Sequence, residues 1–187
     1  MKKRWLFVGA IVIAAIIASI YSIPYSIKAD FSNKNTIHKQ VESRLPRGTN
    51  FVLYNETTVG WKHGAILMGI IEADEEQLGL VLLEKGINGK YKISGTVYGD
   101  GNFHWRLIQE DEGTYCVFYG RNGLDSDINR IAVPYGDSAW YFYPLNHPLP
   151  FIMTMYMGET QEGAWIDVSK VRFYDREGND ITDTVTP

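Results

Sequence analysis

The first part of the chain is a long apolar run that carries no charged residue. It extends over the 19 positions from Trp5 to Ile23 and follows the basic segment Lys2-Lys3-Arg4. A helix of this length spans roughly 28 Å, close to the thickness of a bilayer core. No small-x-small cleavage pattern follows, so the run predicts a signal anchor (residues 1–29) that contacts the lipid bilayer through residues 5–23 as one transmembrane helix. A cleaved signal peptide is the main alternative.

The next segment, residues 30–48, shows a helical period. Ile37, Val41 and Leu45 recur every four residues among polar and charged neighbours, and Pro46 follows them. This spacing predicts a short amphipathic helix that ends before the proline and packs on the domain after it. A stalk lying on the outer face of the membrane is the alternative.

From Phe51 onward the pattern changes to short apolar runs separated by turn residues such as Asn88-Gly89 and Asn122-Gly123. Apolar and polar positions alternate in the run Tyr91–Tyr98, as in a strand that buries one face. Strands separated by turns at intervals of roughly 8 to 12 residues are typical of sandwiches and barrels. We therefore expect an all-β fold, with an antiparallel β-sandwich or barrel-like domain over residues 49–187.

The distribution of charge predicts an orientation and excludes one class of partner. Basic residues are compact before the apolar run and more widely spread after it, which favours a cytoplasmic amino terminus and a carboxy-terminal domain outside the cell membrane. The whole chain has 18 basic and 22 acidic residues. Without residues 1–29 it keeps 14 basic and 22 acidic residues, a net charge of −8. Because an acidic body repels phosphate backbones, no nucleic-acid partner is expected.

Residues capable of catalysis or metal binding form no recognisable motif. Cys116, the single cysteine, lies among large apolar residues, which predicts a buried packing residue. The four histidines lack the spacing of zinc ligands. Two acidic triplets, Asp74-Glu75-Glu76 and Glu110-Asp111-Glu112, fall in predicted hairpin turns, where we expect water to screen them. The sequence therefore predicts no enzyme, no cofactor and no metal site, and a hydrolase with dispersed catalytic residues is the least favoured alternative.

Aromatic residues are abundant in the chain after residue 29, and they are the most informative residues there. Trp105, Trp140 and Tyr143 are candidates for a platform on a sheet face that stacks against a carbohydrate. Ordinary packing and cross-strand pairing are the alternative, because β-proteins use aromatic residues widely for both. Since side chains alternate along a strand, Trp140 and Phe142 are predicted on one face and Tyr143 on the other.

Four further segments carry a resemblance to a group of known proteins: Asn88–Ile93, Tyr115–Asn122, Ile128–Ile131 and Phe173–Asp180. Together with the basic start and the apolar run, they make the chain similar to small, uncharacterised, membrane-anchored extracytoplasmic proteins of Bacillus-type Gram-positive bacteria. The resemblance implies a location and an architecture, namely a β-rich domain tethered to the membrane. It implies no catalytic residue.

These features together predict a non-enzymatic, single-pass membrane protein that presents a binding or accessory domain outside the cytoplasmic membrane. The expected partner is another envelope protein, which would meet an exposed strand edge or an aromatic patch. The alternative is a module that binds cell-wall glycan or a small ligand through Trp105, Trp140 or Tyr143.

Overall fold

The computed structural model of the protein describes residues 2–72, 75–99, 101, 103–121, 128–135, 139–145, 150–158 and 168–185. The described helices are α1 (Lys2–Ser22), α2 (Lys34–Glu42) and α3 (Thr182–Val185), with one turn of 3-10 helix over Val168–Lys170. The described strands are β1 (Asn50–Val59), β2 (His63–Glu72), β3 (Glu75–Lys85), β4 (Tyr91–Gly99), β5 (Phe103–Glu110), β6 (Gly113–Gly120), β7 (Arg130–Tyr135), β8 (Ala139–Pro144), β9 (Phe151–Tyr156) and β10 (Arg172–Tyr174).

The strands form three antiparallel sheets. The first sheet has the order β1-β2-β3-β4, the second β5-β6-β9 and the third β10-β7-β8. The body is therefore mostly antiparallel β, as the strand-and-turn pattern predicted. Among the described strands no sheet closes into a barrel. Instead, buried clusters join the first sheet to the second and the second to the third, and α2 covers the outer face of the first.

The first sheet is buried on both faces. On β2, Ile66, Met68 and Ile70 pack towards α2, while the alternate residues Ala65 and Leu67 pack towards the second sheet. A strand that is covered on both sides has no polar face, so its sequence is a continuous apolar run. This burial makes the first sheet a rigid base for the side chains at its ends.

Helix α2 confirms the predicted amphipathic helix. Ile37 and Val41 are fully buried, and Leu45 just beyond the helix is nearly so. All three belong to the cluster between the helix and the first sheet. The helix ends at Glu42, before Pro46, and packs on the β-domain as the first of the two alternatives predicted.

The second sheet lies between the other two. On β6, Cys116 and Phe118 face the third sheet, where Phe173 is fully buried, while Val117 and Tyr119 face the first sheet. Cys116 is thus confirmed as a buried packing residue. Burial raises the pKa of its thiol to about 12, so the reactive thiolate is scarce at neutral pH.

The turns of the first two sheets define two ends of the body. The near end contains the β1–β2 turn (residues 60–62), the β3–β4 turn (residues 86–90) and the β5–β6 turn (residues 111–112). The first two of these turns adjoin, because the backbone N–H of Lys85 donates to the carbonyl of Lys62 at 2.6 Å. The opposite ends of the same strands form the far end, where β3 begins and β6 ends.

The segment after α1 is attached to the near end. The side-chain amide of Asn88, in the β3–β4 turn, donates to the carbonyl of Tyr25 at 3.2 Å. Ile27 is fully buried and forms an antiparallel bridge with Tyr91. The Tyr25 ring lies so close to Gly86 that a Cβ on the glycine would be 2.6 Å from it. Helix α1 therefore ends beside the near-end turns.

Helix α1 leaves its described apolar side chains exposed. Ile11, Ile13 and Ile17 are each half exposed or more. Among the described residues, no helix is found that has both the length and the apolar character needed to cross a membrane. The anchor over residues 1–29, and the division of the chain after it into 30–48 and 49–187, stay predictions.

Candidate functional site

A break in strand β1 takes two polar side chains out of the regular strand pairing. The register with β2 holds up to Leu53 and resumes at Glu56, so Tyr54 and Asn55 form a bulge. Bulges redirect side chains and are common beside functional sites. Here the bulge brings Tyr54 to a carboxyl group of β3 and Asn55 to the start of β9.

Glu76 is the centre of the site. Its side chain crosses β2 over Gly69, where any Cβ would overlap the carboxyl group. The Tyr54 hydroxyl donates a hydrogen bond to Glu76 Oε1. Arg121, directly after β6, donates from Nη2 to Glu76 Oε2 at 2.6 Å and to the Glu76 carbonyl at 3.2 Å. The carboxyl group thus connects the first sheet to the second.

A cavity of about 380 Å³ adjoins this network at the boundary between the first and second sheets. Its lining residues come from four separate parts of the chain: Tyr54, Asn55, Glu76, Arg121 and Pro150. Asn55 Nδ2 donates to the Pro150 carbonyl at 3.2 Å, which orients the amide at one wall. Sites for small ligands usually measure about 300 to 1,000 Å³, so the cavity is large enough for a small ligand.

The side chains that line the cavity can form hydrogen bonds, and their charges sum to zero. Burial and the hydrogen bond to Glu76 raise the pKa of Tyr54 to about 12, so the phenol is a protonated donor at neutral pH. The side chains of Arg121 and Glu76 are 31% and 21% exposed. Their opposite charges offset each other, while their exposed atoms stay within reach of a molecule that enters from solvent.

The groups that line the cavity provide both hydrogen-bond donors and hydrogen-bond acceptors. A phenol, an amide, a carboxyl group and a guanidinium provide donors and acceptors, but no thiol or imidazole is among the lining residues that the structure describes. A search of the described residues also finds no group of three His, Cys, Asp or Glu placed to hold a metal ion. The described lining therefore offers hydrogen-bonding groups to a polar ligand.

A second carboxyl group, that of Glu110 at the end of β5, is buried at the near end. Its Oε1 accepts hydrogen bonds from the backbone N–H groups of Lys62 and His63, both at 3.0 Å. His63 Nδ1 lies 2.8 Å from the same oxygen and donates to it, because this oxygen already accepts two backbone hydrogen bonds. A Cβ on Gly60 would be 2.9 Å from the carboxyl carbon. Glu110 thus fixes the β1–β2 turn to the second sheet in a tightly enclosed position.

The expectation that both acidic triplets are solvated is wrong for one residue of each. Glu110 is buried and Glu76 is part of a shielded network, whereas Glu75 and Asp111 are exposed as predicted. Asp74 lies outside the described residues. Both glutamates lie next to turn residues, and this explains the error, since a charge beside a turn is usually in water.

The structure places the aromatic candidates on two different sheets. Trp105 lies on β5, on the same face as its cross-strand partner Phe118, whereas Trp140 and Tyr143 lie on β8. Trp105 and Trp140 are each 43% exposed. Tyr143 packs against the cluster between the second and third sheets, opposite to Trp140 and Phe142 as predicted. The three candidates do not share one face, and a role for each in ligand binding stays a prediction.

Comparison with known proteins leaves the function to be inferred from this geometry. No family model, no curated protein and no solved structure matches the chain. The similarity to membrane-anchored proteins of Gram-positive bacteria therefore stays a prediction. The cavity around Glu76 is the strongest candidate site among the described residues, because it combines open volume with a charged pair and a half-buried phenol donor.

Proposed function

We propose that the protein is a single-pass, membrane-tethered extracytoplasmic binding domain without enzymatic activity, and that the cavity around Glu76 takes a small polar ligand. The observation that carries the proposal is the preassembled network of the cavity. Tyr54 and Arg121 hold the two carboxyl oxygens of Glu76 beside about 380 Å³ of space. The layered, sandwich-like strands supply rigid support, which lowers the entropic cost of binding.

The walls favour a ligand that combines hydroxyl and amide groups with an apolar face. The half-buried Tyr54 and the buried Pro150 line the cavity, and a sugar ring or a peptide plane can pack against apolar rings of this kind. Asn55, Glu76 and Arg121 offer hydrogen-bonding groups whose charges offset each other. A cell-wall glycan fragment carries this combination, so it is the first ligand class to test.

The tether is supported by the sequence of α1 and by the exposure of its side chains. The 19 positions from Trp5 to Ile23 carry no charge, and a basic segment precedes them. Ile13 is 60% exposed and Ile17 is 50% exposed, so the described part of the helix does not use these side chains to pack on the body. Lipid would cover such side chains at a gain of about 25 cal/mol for each Å² of apolar surface removed from water.

An envelope protein is the second candidate partner, and a different surface favours it. Trp140 and Phe142 are exposed on one face of β8, at the edge of the third sheet. The half-buried Arg130 lies 5.0 Å from the centre of the Phe142 ring, at the side of this surface. Exposed aromatic side chains beside a sheet edge are typical of protein interfaces.

A titration with glycan fragments separates the two surfaces. The purified full chain in detergent micelles is titrated calorimetrically with the trisaccharide of N-acetylglucosamine and with muramyl dipeptide. We expect Arg121→Gln to weaken binding about tenfold, the effect of losing one hydrogen bond to a charged group. Trp140→Ala is the control and should leave the affinity unchanged.

If Trp140→Ala loses affinity while Arg121→Gln keeps it, the glycan binds at the third sheet and not in the cavity. Binding of neither probe by the folded wild-type chain contradicts the assignment to cell-wall glycan. Circular dichroism of each variant checks that the β-domain is folded.

The location is tested separately in whole cells. Protease added outside intact cells should digest the chain beyond residue 48, whereas residues 1–23, in the cytoplasm and the bilayer, should stay protected. Full protection of the β-domain would contradict the proposed orientation. Release of the mature chain into the medium, shortened at its start, would favour the cleaved signal peptide.

A further inference from the structure

The tips of two near-end turns carry large apolar side chains. Trp61, in the β1–β2 turn, is 74% exposed, and Ile87, in the β3–β4 turn, is 86% exposed. Turns between strands usually carry Gly, Asn, Asp, Pro or Ser at such positions. One exposed apolar residue on a protein surface is ordinary, but two at adjoining turn tips are a candidate contact surface.

The same end of the body holds the end of α1. The side-chain amide of Asn88, next to Ile87, donates to the Tyr25 carbonyl, three residues after the helix. Ile23, between the helix and this contact, is itself 74% exposed. The backbone hydrogen bond between Lys85 and the Lys62 carbonyl connects the two turns. Helix end and turn tips therefore lie at one end of the first sheet.

We propose that the near end of the β-domain rests on the outer surface of the bilayer, with Trp61 and Ile87 inserted into its interfacial layer beside α1. This inference rests on the proposed membrane tether. A tryptophan next to the end of a membrane helix is the residue type that the interface favours, because its ring is apolar and its N–H can be hydrated. Ile87 has no polar group to hydrate, so it gains most from leaving water.

The charges at this end indicate that apolar insertion, rather than attraction to anionic lipid, carries the contact. Lys62 and Lys90 are exposed there, but Lys62 forms an ion pair with Asp111, whose side chain is 82% exposed. Lys92 likewise pairs with Glu84 at 3.3 Å. Since cations and anions are mixed, we expect the contact with neutral and with anionic vesicles to be similar.

The contact would orient the candidate cavity. Glu76 lies nine residues before Lys85 on β3, which corresponds to about 30 Å at the rise of an extended strand. With the near end on the bilayer, the cavity is held away from the lipid surface and towards the cell wall. A ligand that arrives from outside would then reach it without crossing the interface.

Fluorescent labels at the turn tips test the contact in the full chain. Trp61→Cys and Ile87→Cys are labelled with the environment-sensitive dye NBD and reconstituted into phosphatidylcholine vesicles, with and without phosphatidylglycerol. Ile71→Cys is the matched control, because Ile71 is 41% exposed at the far end of the first sheet. Cys116 is buried with a raised pKa, so the wild-type chain should take up little label.

We expect the labels at 61 and 87 to shift to shorter emission wavelength in vesicles. Phosphatidylcholine with a doxyl group at carbon 5 should quench them at least threefold more strongly than the label at 71. Equal quenching at all three positions, or none at 61 and 87 in chains that float with the vesicles, would overturn the inference and leave the tether intact. Failure of the wild-type chain to float with the vesicles would overturn the tether and this inference with it.

Discussion

Glu76 and Glu110 occupy opposite ends of the body and differ in what they bond to. Each belongs to a stretch of acidic residues beside a turn, so their local sequences are alike. Glu110 is tightly enclosed and accepts hydrogen bonds mainly from the backbone N–H groups of Lys62 and His63. Glu76 bonds to the side chains of Tyr54 and Arg121 and adjoins a cavity.

This difference separates a structural carboxyl group from one that is suited to binding. Backbone N–H groups in a turn need an acceptor in every state of the folded protein, so Glu110 cannot leave them for a ligand. Side-chain partners such as Tyr54 can rotate and exchange hydrogen bonds with a molecule in the cavity. A shielded carboxyl group therefore becomes a candidate site when its partners are side chains and free volume lies beside it.

The largest expected effect distinguishes the two carboxyl groups by stability. Glu110→Ala should lower the free energy of unfolding by about 3 kcal/mol, because it leaves the part-buried N–H groups of Lys62 and His63 without an acceptor and opens a cavity. Glu76→Ala should cost about 1 kcal/mol, since Tyr54 and Arg121 can turn to water. Urea unfolding of both variants measures the difference, and Glu110→Gln, which keeps one acceptor oxygen, should lie between them. Equal losses in the two alanine variants would contradict the distinction.

Two glycines give the next comparison, because each makes room for one of the carboxyl groups. Gly60 has a φ of 55°, and its Cβ would be 2.9 Å from the Glu110 carboxyl carbon. Gly60→Ala should therefore cost about 2 kcal/mol, combining a strained backbone with a contact that cannot relax. Gly69→Ala displaces the end of a side chain that can swing into solvent, and should cost about 1 kcal/mol while disrupting the cavity.

The two glycine variants are compared by urea unfolding and by glycan titration. Gly69→Ala should lose affinity at least as much as Arg121→Gln does, with most of its stability retained. Gly60→Ala should keep the affinity of the folded chain, because the near end does not contact the cavity. The reverse assignment, with Gly60→Ala affecting affinity and Gly69→Ala affecting stability alone, would contradict the roles given to the two ends.

Periodicity in the sequence was enough to predict the elements but not the two carboxyl sites. The spacing of Ile37, Val41 and Leu45 predicted α2, and alternation along β8 predicted the opposite faces of Trp140 and Tyr143. Both patterns depend on neighbours in the sequence, which fix the direction of each side chain.

The carboxyl sites depend on partners far away in the chain. Arg121 is 45 residues from Glu76, and Lys62 is 48 residues from Glu110. Nothing in the local sequence of either glutamate differs from that of a solvated turn. The glycines that admit the carboxyl groups, Gly60 and Gly69, are informative only once the cross-strand register is known. The membrane tether, in contrast, depends on local composition and remains a prediction from the sequence.

A smaller effect is expected from the ion pairs at the two ends. The pair of Arg121 with Glu76 is shielded, so Arg121→Ala should lower the free energy of unfolding by about 1 kcal/mol. The pair of Lys62 with Asp111 is exposed, and Lys62→Ala keeps the backbone N–H that Glu110 needs. We expect no measurable change for that variant. Urea unfolding at low and high salt checks both, and a larger loss in Lys62→Ala would contradict the comparison.

The smallest expected effect is on the pH dependence of the free energy of unfolding, through Tyr54. Burial and the hydrogen bond to Glu76 raise the pKa of Tyr54 to about 12, whereas an unfolded chain ionises tyrosine near pH 10. The folded state therefore binds this proton more tightly, and its contribution to stability is complete below pH 10 and is lost as the pH rises towards 12. Tyr54→Phe should show a shallower fall in stability from pH 9 to 11 than the wild-type chain. The raised pKa values of Tyr91, Tyr115 and Tyr119 are common to both chains, so identical slopes in urea unfolding would show that Tyr54 is not held by Glu76.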